Sequence, residues 1–390
     1  MNFTNFKIAW RNIGKKKVQN LINLIGLICS ITFLLLVGAY IWDVYQVNSN
    51  IKNIDRQFLL QSKYKKEGFG IDLTTLGALP KALQDNYPDL IDNYYRLDGL
   101  TGIVANGAII HEEGMSLGDP SLLTMFGFEL LAGDANTALN NPFSVVISDK
   151  AALKYFGQVD VLGKTLQIKN FKGEKHDFEI TAIIKTKLQN AVMDLTKNMH
   201  ADIFLPLVNE QYFGRSIDNW NNPYIAGYIE LKPGVSLARV NAAIETLVRK
   251  NTDKEFASQY SPNLKALKTY YLNDNQGAIR SMIQTLIWVA AFILVMAIIN
   301  FINFSIAQHI TRLKEIGVRK IMGSSRLQLI RQLMTEYILI VAIASFISLP
   351  LYSAISPIFE HILMRKLPSL IELPGYFFVL LSLLTLLIAL

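Results

Sequence analysis

The chain has 390 residues, of which 51% are hydrophobic and 18% are charged, and its formal net charge is +7. This composition is too apolar for an ordinary soluble globular protein, in which about 25% of residues are charged. A basic charge spread over a soluble domain would indicate nucleic acid, but here the basic excess lies in two short segments. The sequence therefore predicts a membrane protein without a nucleic-acid partner.

The N-terminal part combines an amphipathic segment with the first long apolar run. Residues 1–20 have apolar residues at helical spacing beside a basic cluster and predict an amphipathic helix on the inner membrane surface. Residues 21–47 predict the first transmembrane helix. Cys29, the single cysteine, lies inside this run, so no disulfide framework is expected. Because Ile28 precedes Cys29 where lipoprotein cleavage requires a small residue, the run is predicted to be an uncleaved anchor.

Residues 48–280 have the composition of a soluble domain, with 25 basic and 26 acidic residues. Alternating and β-branched runs interleave with helical periodicity and predict a mixed α+β domain of one large or two smaller lobes. The predicted strands are Gln57–Gln61, Phe143–Ile147, Phe178–Ile184, Ile203–Leu207 and Tyr224–Leu231. The predicted helices lie near 74–86, 148–156 and 236–250.

Two patterns resemble catalytic or ligand-binding motifs, but neither has the residue spacing that such a motif requires. Gly157 followed by Gly163-Lys164-Thr165 approximates a phosphate-binding loop, but five residues separate the glycines instead of four, and a strand-like segment follows. The histidines lack the spacing of metal ligands. They are His111, His176, His200, His309 and His361. No nucleophile and base stand out, so we predict no catalytic, cofactor or metal site and no enzyme activity for this chain.

Five segments follow the inserted domain. Residues 281–308 and 333–358 predict the second and third transmembrane helices, which are joined by residues 309–332. Residues 359–374 form a short loop, and residues 375–390 predict a fourth span that is still apolar at the last residue. We therefore expect the natural chain to continue. The predicted fold is an α-helical transmembrane bundle of about four helices with a large inserted α+β domain.

Basic residues set the expected orientation. Those before the first span are Lys7, Arg11, Lys15, Lys16 and Lys17. Those between the second and third spans are Arg312, Lys314, Arg319, Lys320, Arg326 and Arg331, against the acid Glu315. By the positive-inside rule both segments face the cytoplasm, which places the N-terminus inside and residues 48–280 outside.

The segment from Gln308 to Glu336 is amphipathic as well as basic. A first short helix is predicted to end at Gly323-Ser324-Ser325, because Ser325 and Gln328 form the pattern of a capping box that begins a new helix. Two interpretations remain open from the residues alone. The segment is either a basic loop that fixes the topology and contacts anionic lipid, or a docking element for a cytoplasmic partner.

The second span contains polar residues that lipid would disfavour. They are Asn300, Asn303, Ser305 and Gln308. We expect them to face other helices, and we prefer interhelical hydrogen bonding to a path for a substrate.

A resemblance covers essentially the whole chain. The stretch NFINFSIAQHITRLKEIGVRKIMGSSRLQLIRQLMTE, and in the inserted domain DPSLLTMFGFELLAGD, VVISDKAALKYFG and LKPGVS, are similar to elements of one family. The chain resembles the FtsX-like, MacB-type permease subunits of ABC transporters, with a MacB-like periplasmic core domain at 48–280. Positions that match the family pattern include Asn300, Asn303, Arg312, Lys314, Glu315, Ile316, Gly317, Arg319, Lys320, Gly323, Gln332 and Glu336.

The resemblance implies a permease in the bacterial cytoplasmic (inner) membrane that transmits ATP-driven motion to its outer domain. This sequence has no Walker motif, so ATP would be used by a separate cytoplasmic ATPase. The implied ATPase-coupling residues are Arg312, Lys314, Glu315, Ile316, Gly317, Arg319, Lys320, Gly323 and Arg326. The implied helix-packing residues within the membrane are Asn300, Asn303 and Glu336.

The resemblance also implies partners and a role. The partners are a second permease copy or a second repeat, and a periplasmic adaptor or cargo protein. The implied role is efflux of peptides or antimicrobials, or lipoprotein handling. The alternative is an FtsX-like regulatory or sensing protein that controls an envelope partner without moving cargo.

Overall fold

The computed structural model describes residues 17–64, 72–186, 190, 192–196, 199–323, 325–363 and 365–389. The chain divides into two compact units. The membrane unit comprises Met1–Tyr45 and Gly277–Leu390, and the outer domain comprises Gln46–Gln276.

The helices of the described residues are numbered along the chain. They are α1 (Lys17–Gln46), α2 (Leu79–Asn86), α3 (Leu122–Phe126), α4 (Asp149–Phe156), α5 (Leu237–Asn251), α6 (Lys254–Gln259), α7 (Leu267–Ile321), α8 (Arg326–Leu363) and α9 (Gly375–Ala389). The strands are β1 (Gln57–Tyr64), β2 (Ile91–Asn106), β3 (Ile109–Gly118), β4 (Leu130–Gly133), β5 (Ser144–Ser148), β6 (Thr165–Lys169), β7 (Lys175–Ile184), β8 (Asp194–Thr196), β9 (Met199–His200), β10 (Ile203–Pro206), β11 (Ala226–Leu231) and β12 (Tyr260–Ala266).

The outer domain is built on one mixed sheet. Its strands follow the order β12-β1-β11-β2-β3-β10-β5-β7-β4, and β6 pairs with β2 and β7. The pairs β3 with β10 and β5 with β7 are parallel, and the other pairs are antiparallel. The predicted α+β character is confirmed, and each predicted strand and helix of this domain has a counterpart within a few residues.

Helices cover the sheet because each buries one apolar stripe. Leu83 of α2 and Ile244 of α5 belong to one apolar cluster with Leu60 of β1. A second cluster is aromatic, and its Phe126 ring lies 5.5 Å from Tyr95 and 5.4 Å from Tyr228, in edge contact with both. Such buried contacts between apolar and aromatic side chains supply most of the stability of a domain.

The membrane unit contains helices long and apolar enough to cross a bilayer. By length and composition these are Leu21–Gln46, Gly277–Asn303 and Arg326–Leu363, and a shorter apolar helix covers Gly375–Ile388. This agrees with the predicted bundle of about four helices.

Small and hydroxyl side chains join the helices of this unit. Ser348 of α8 shares its hydroxyl proton between the carbonyls of Ala344 and Ile28, at 2.8 and 3.2 Å. Ser345 of α8 lies 2.9 Å from Thr385 of α9. These contacts are typical of helix packing in lipid, where small polar residues let helices approach.

Two boundaries differ from the sequence-based expectation. The separate short helix expected from residue 309 is absent, because α7 continues without interruption to Ile321. Residues 309–322 contain no proline, so the amphipathic segment extends the membrane helix. In addition, α8 runs to Leu363, into the predicted loop at 359–374. The amphipathic helix predicted for residues 1–20 lies outside the described residues as far as residue 16, and α1 begins at Lys17.

Candidate coupling segment and polar membrane residues

The turn between α7 and α8 is set by a glycine. Gly323 has φ +94°, a left-handed conformation that side chains with a Cβ rarely adopt. The amide of Met322 donates to the carbonyl of Val318 at 2.9 Å, and the amide of Gly323 donates to that of Lys320 at 3.2 Å. These bonds close the last turn of α7, which is the usual role of a glycine just after a helix.

A capping box begins α8. The amide of Ser325 donates to the side-chain oxygen of Gln328 at 3.0 Å, and the amide of Gln328 donates to the Ser325 hydroxyl at 3.3 Å. The prediction made from these two residues is confirmed. The reciprocal bonds satisfy amides that would otherwise lack partners at the start of a helix. Both sides of the turn are therefore held by local hydrogen bonds.

The turn presents apolar side chains. Ile321 is 88% exposed and Met322 is 81% exposed, and Leu327 is also exposed at the start of α8. Lys320 and Arg326 are exposed beside them. Adjacent exposed apolar residues bordered by cations are typical of a contact surface for protein or for an anionic membrane.

The other implied coupling residues lie along the end of α7. They are Arg312, Lys314, Glu315, Ile316, Gly317 and Arg319, and the structure describes their helical backbone but not their side chains. The structure thus places the implied coupling residues on the end of α7, in the following turn and, for Arg326, at the first residue of α8. Their role stays a prediction. Ile321 and Met322 are not among the implied coupling residues, although two large apolar residues directly before a Gly-Ser turn could have indicated an exposed apolar site.

The polar residues predicted within the membrane are placed differently from one another. Glu336 of α8 is 4% exposed, whereas Asn300 and Asn303 of α7 are exposed within this chain. A Cβ added to Gly26 would lie 3.6 Å from Nδ2 of Asn300, so α1 approaches α7 at a glycine. Asn23, 3% exposed in α1, has no hydrogen-bond partner among the described residues. The helix-packing role of these residues stays a prediction.

Charged residues that were not predicted from the sequence join elements at the other end of the membrane unit. The guanidinium of Arg365 donates to the carboxylate of Asp43, and the Tyr352 hydroxyl donates to the carbonyl of Pro368 at 2.5 Å. The amide of Leu367 donates to the carboxylate of Glu360 at 3.1 Å. These bonds fasten the segment after α8 to α1 and α8. Asp43 at the end of the first apolar run and Arg365 in the short connection are the sequence features that could have indicated this ion pair.

The outer domain contains a buried arginine that was likewise not predicted from the sequence. Arg96 is 3% exposed, and its Nε and Nη2 donate to the two carboxylate oxygens of Asp119, both at 2.9 Å. Its Nη1 donates to the Gly77 carbonyl at 3.1 Å and to Asp218 at 3.2 Å. Burial alone would lower the pKa of Arg96, but the hydrogen bonds and charge of Asp119 outweigh it and raise the pKa. The arginine therefore crosslinks three segments.

The structure describes the segments that contain the rejected glycine motif and one of the histidines, His200. Gly163 precedes β6 and not a helix, so the glycine pattern cannot hold phosphate at a helix N-terminus. Within the described ranges, no group of three or more His, Cys, Asp or Glu residues is arranged to hold a metal ion. His200 lies 2.5 Å from Asp194 and 2.9 Å from Asp202, and their hydrogen bonds raise its pKa to about 10.

Together these features define a class: a multi-span membrane protein with a large inserted α+β domain. A family model described as MacB-like periplasmic core domain matches residues 21–247, and a model described as FtsX-like permease C-terminal matches residues 287–390. The chain belongs to the FtsX-like, MacB-type family of ABC transporter permeases, and its inserted domain is the extracytoplasmic core domain of that family.

Relatives include the Macrolide export ATP-binding/permease protein MacB of Bdellovibrio bacteriovorus, 26% identical over 202 residues. That alignment covers 50% of this chain and 28% of the relative, so the chain spans only about a quarter of the relative's length. Among solved structures, a permease domain from Porphyromonas gingivalis is 24% identical, with a TM-score of 0.45, over 55% of this chain and 92% of that chain. The periplasmic region of MacB from Actinobacillus actinomycetemcomitans is 13% identical, with a TM-score of 0.40, over 57% and 92%.

Proposed function

We propose that this ABC-type permease transmits motion driven by ATP hydrolysis on a separate cytoplasmic ATPase to its outer domain. The turn at Ile321 and Met322 carries the proposal, because it offers two exposed apolar side chains on a backbone whose hydrogen bonds are already formed. Exposed cations beside them favour an acidic surface on the partner. We propose further that the chain lies in the bacterial cytoplasmic membrane, with this turn inside and the outer domain outside.

The membrane unit supports a second permease copy or repeat as a further partner. Within the span Gly277–Asn303, 17% of an apolar 18-residue stretch is buried within this chain, against 50% of such a stretch within the span Leu21–Gln46. No hydrogen bond is found for Asn300 or Asn303 in the described part of the chain, and both side chains are exposed on this span. Polar side chains in lipid gain from packing against another helix. We infer that α7 packs against the second permease copy or repeat.

The proposed work is efflux of peptides or antimicrobials, or lipoprotein handling, with a periplasmic adaptor or cargo protein as a further partner. The family membership supports a permease role of this kind. A regulator that controls an envelope partner would use the same coupling turn without moving cargo. ATP-dependent uptake of a labelled antimicrobial peptide into inverted vesicles separates the two, because a regulator would leave the vesicle content unchanged.

Co-purification tests the coupling turn. The affinity-tagged full chain is expected to retain an ABC ATPase, identified by mass spectrometry and by ATP hydrolysis of the complex. The double variant Ile321→Asp/Met322→Asp should lose about tenfold or more of the bound ATPase, because it places two carboxylates in an apolar contact. Charge reversal at Glu315 or Arg319 should also weaken retention.

Val208→Asp is the matched control, because Val208 is an exposed apolar residue of the outer domain. It should retain the ATPase like the wild-type chain. Full retention by the double variant, or no ATPase with the wild-type chain, would contradict the proposal.

A further inference from the structure

The outer domain has a cavity of about 320 Å³ between the turn that joins β6 to β7 and the segment 212–215. Its lining residues are Phe171, Lys172, Tyr212, Phe213, Gly214 and Arg215. The cavity is at the lower end of the usual range for ligand pockets, about 300–1,000 Å³. It is therefore large enough for one side chain.

A buried amide holds the two walls of the cavity together. Asn170 is 6% exposed, and its side-chain oxygen accepts from the amides of Lys172 and Glu174 at 3.0 and 2.9 Å. Its Nδ2 donates to the Tyr212 carbonyl at 2.8 Å and to the Glu174 carboxylate at 2.7 Å. The Tyr212 hydroxyl returns to the other wall, where it is shared between the carbonyls of Ile168 and Glu174 at 2.9 and 2.8 Å. These hydrogen bonds hold the walls of the cavity in place without a bound ligand.

Aromatic rings form the apolar part of the lining. Tyr212 and Phe213 lie 4.9 Å apart in edge contact, and Tyr212 also lies 5.9 Å from the ring of Phe178 behind it. Phe171 also lines the cavity and is 61% exposed. The guanidinium of Arg215 lies 5.3 Å from the Phe171 ring centroid. A planar ligand group could therefore stack beside a cation.

The charges of the lining favour an anion. Lys172 and Arg215 line the cavity, and among the described residues no acid does. The carboxylate of Asp98 lies 3.4 Å from Nε of Arg215 and forms an ion pair with it. Burial raises the pKa of Asp98, and the charge of Arg215 opposes that rise. The carboxylate of Glu174 accepts a hydrogen bond from the side-chain amide of Asn170. An incoming carboxylate would compete with Asp98 for Arg215.

We propose that this cavity binds the C-terminal residue of a peptide that ends in an aromatic side chain, with the ring against Phe171 and Phe213 and the terminal carboxylate at Arg215 and Lys172. Such a site is independent of the proposed transport role, because a transporter and a regulator could both recognise a peptide end. Binding requires neither ATP nor the ATPase.

Equilibrium dialysis of the full chain in lipid nanodiscs tests the site, with empty nanodiscs as the blank. The probes are N-acetyl-L-tryptophan and its neutral analogue N-acetyl-L-tryptophanamide. The acid should bind about fivefold more tightly than the amide, since a partly exposed ion pair contributes up to about 1 kcal/mol. Phe171→Ala and Arg215→Gln should each weaken binding of the acid about fivefold.

The variant Asp98→Asn distinguishes ligand binding at Arg215 from a purely structural role of Arg215. It removes the competing carboxylate, so it should strengthen binding of the acid about twofold to fivefold and leave the amide unchanged. The matched controls are Tyr224→Ala, an exposed aromatic residue, and Arg239→Gln, an exposed arginine paired with Asp89. Both should bind the acid like the wild-type chain.

Three results would overturn the proposal. Equal binding of acid and amide would remove the role of charge. Unchanged binding in Phe171→Ala and Arg215→Gln would place the probe elsewhere. Displacement of N-acetyl-L-tryptophan by decanoate at lower concentration than by a peptide ending in tryptophan would assign the cavity to a fatty acid.

Discussion

Half of an apolar 18-residue stretch within the span Leu21–Gln46 is buried within this chain, but only 17% of such a stretch within the span Gly277–Asn303 is. The second span also exposes the side chains of Asn300 and Asn303. In the outer domain, by contrast, the buried guanidinium of Arg96 has hydrogen-bond partners on three segments of the same domain. The outer domain therefore draws its stability from its own contacts. The membrane unit leaves a helix face whose stability depends on lipid or on another protein.

The largest expected effect is in the buried network of the outer domain. Arg96→Met should destabilise this domain by about 3–5 kcal/mol, because it leaves the Asp119 carboxylate, with a side chain 6% exposed, as an uncompensated buried charge. Hydrogen exchange of the full chain in detergent, read on β2 and β3 peptides, measures the loss.

Arg239→Gln is the control for this change, because the Arg239 and Asp89 side chains are 62% and 63% exposed. It should cost less than about 1 kcal/mol. If both variants exchange alike, the outer domain does not depend on its buried network and the contrast between the two regions fails.

The next effect compares two glycines. A Cβ at Gly77 would lie 1.9 Å from the backbone oxygen of Ile217. In contrast, no heavy atom of the described residues would contact a Cβ at Gly375 within 4 Å. Gly77→Ala should therefore destabilise the outer domain by about 1–3 kcal/mol, since the backbone must shift. Gly375→Ala in the membrane unit should have no measurable effect. The thermal unfolding midpoint of each full-length variant checks this, and equal midpoints would show that the outer domain is as loosely packed as the membrane unit.

A smaller effect depends on pH. The pKa of His200 is raised from 6.5 to about 10, chiefly by hydrogen bonds to Asp194 and Asp202, so its protonated form stabilises the fold. That contribution is complete below pH 6.5 and is lost as the pH rises through about 10. Since the side chain is 44% exposed, His200→Gln should cost only about 1 kcal/mol at pH 6.

Thermal unfolding of wild type and His200→Gln at several pH values measures this term. The difference between the midpoints should shrink steadily above pH 6.5 and vanish above pH 10. A difference that stays constant over this range would show that His200 stabilises the domain by packing alone.

The smallest effect probes the open face of the membrane unit. Asn303→Val should weaken association between two copies about threefold, as expected for one interhelical hydrogen bond of about 0.6 kcal/mol. Energy transfer between labelled chains in liposomes measures it. Thr285→Val is the control on the same helix, because its hydroxyl already donates to the Ser281 carbonyl at 3.0 Å. Equal loss in both variants would argue against Asn303 at an interface.

Simple periodicity explains what the sequence could predict of the fold. Strands such as β5 and β11 were predictable because each is a short and largely apolar segment, buried at every position. The hairpin of β2 and β3 was missed because β2 contains charged residues and glycines and the first half of β3 is exposed. The length of α7 was missed because hydropathy marks only its apolar middle, whereas the helix continues as an amphipathic segment.

The candidate sites divide in the same way. The capping box of Ser325 and Gln328 was readable because its partners are three residues apart. The contacts of Arg96 join residues 23 and 122 positions away, which no local pattern encodes. The cavity at Phe171 and Arg215 likewise depends on two loops that the fold brings together. Local hydrogen bonds can be predicted from one sequence, but long-range ones require the topology.

The closed hydrogen bonds at the turn after Gly323 have a calorimetric consequence. A partner that covers Ile321 and Met322 removes apolar surface from water, which gives a negative heat-capacity change. Because both helix ends at this turn are already capped, little backbone ordering accompanies that burial. Association at this turn should therefore lack the large unfavourable entropy that marks segments which fold as they bind.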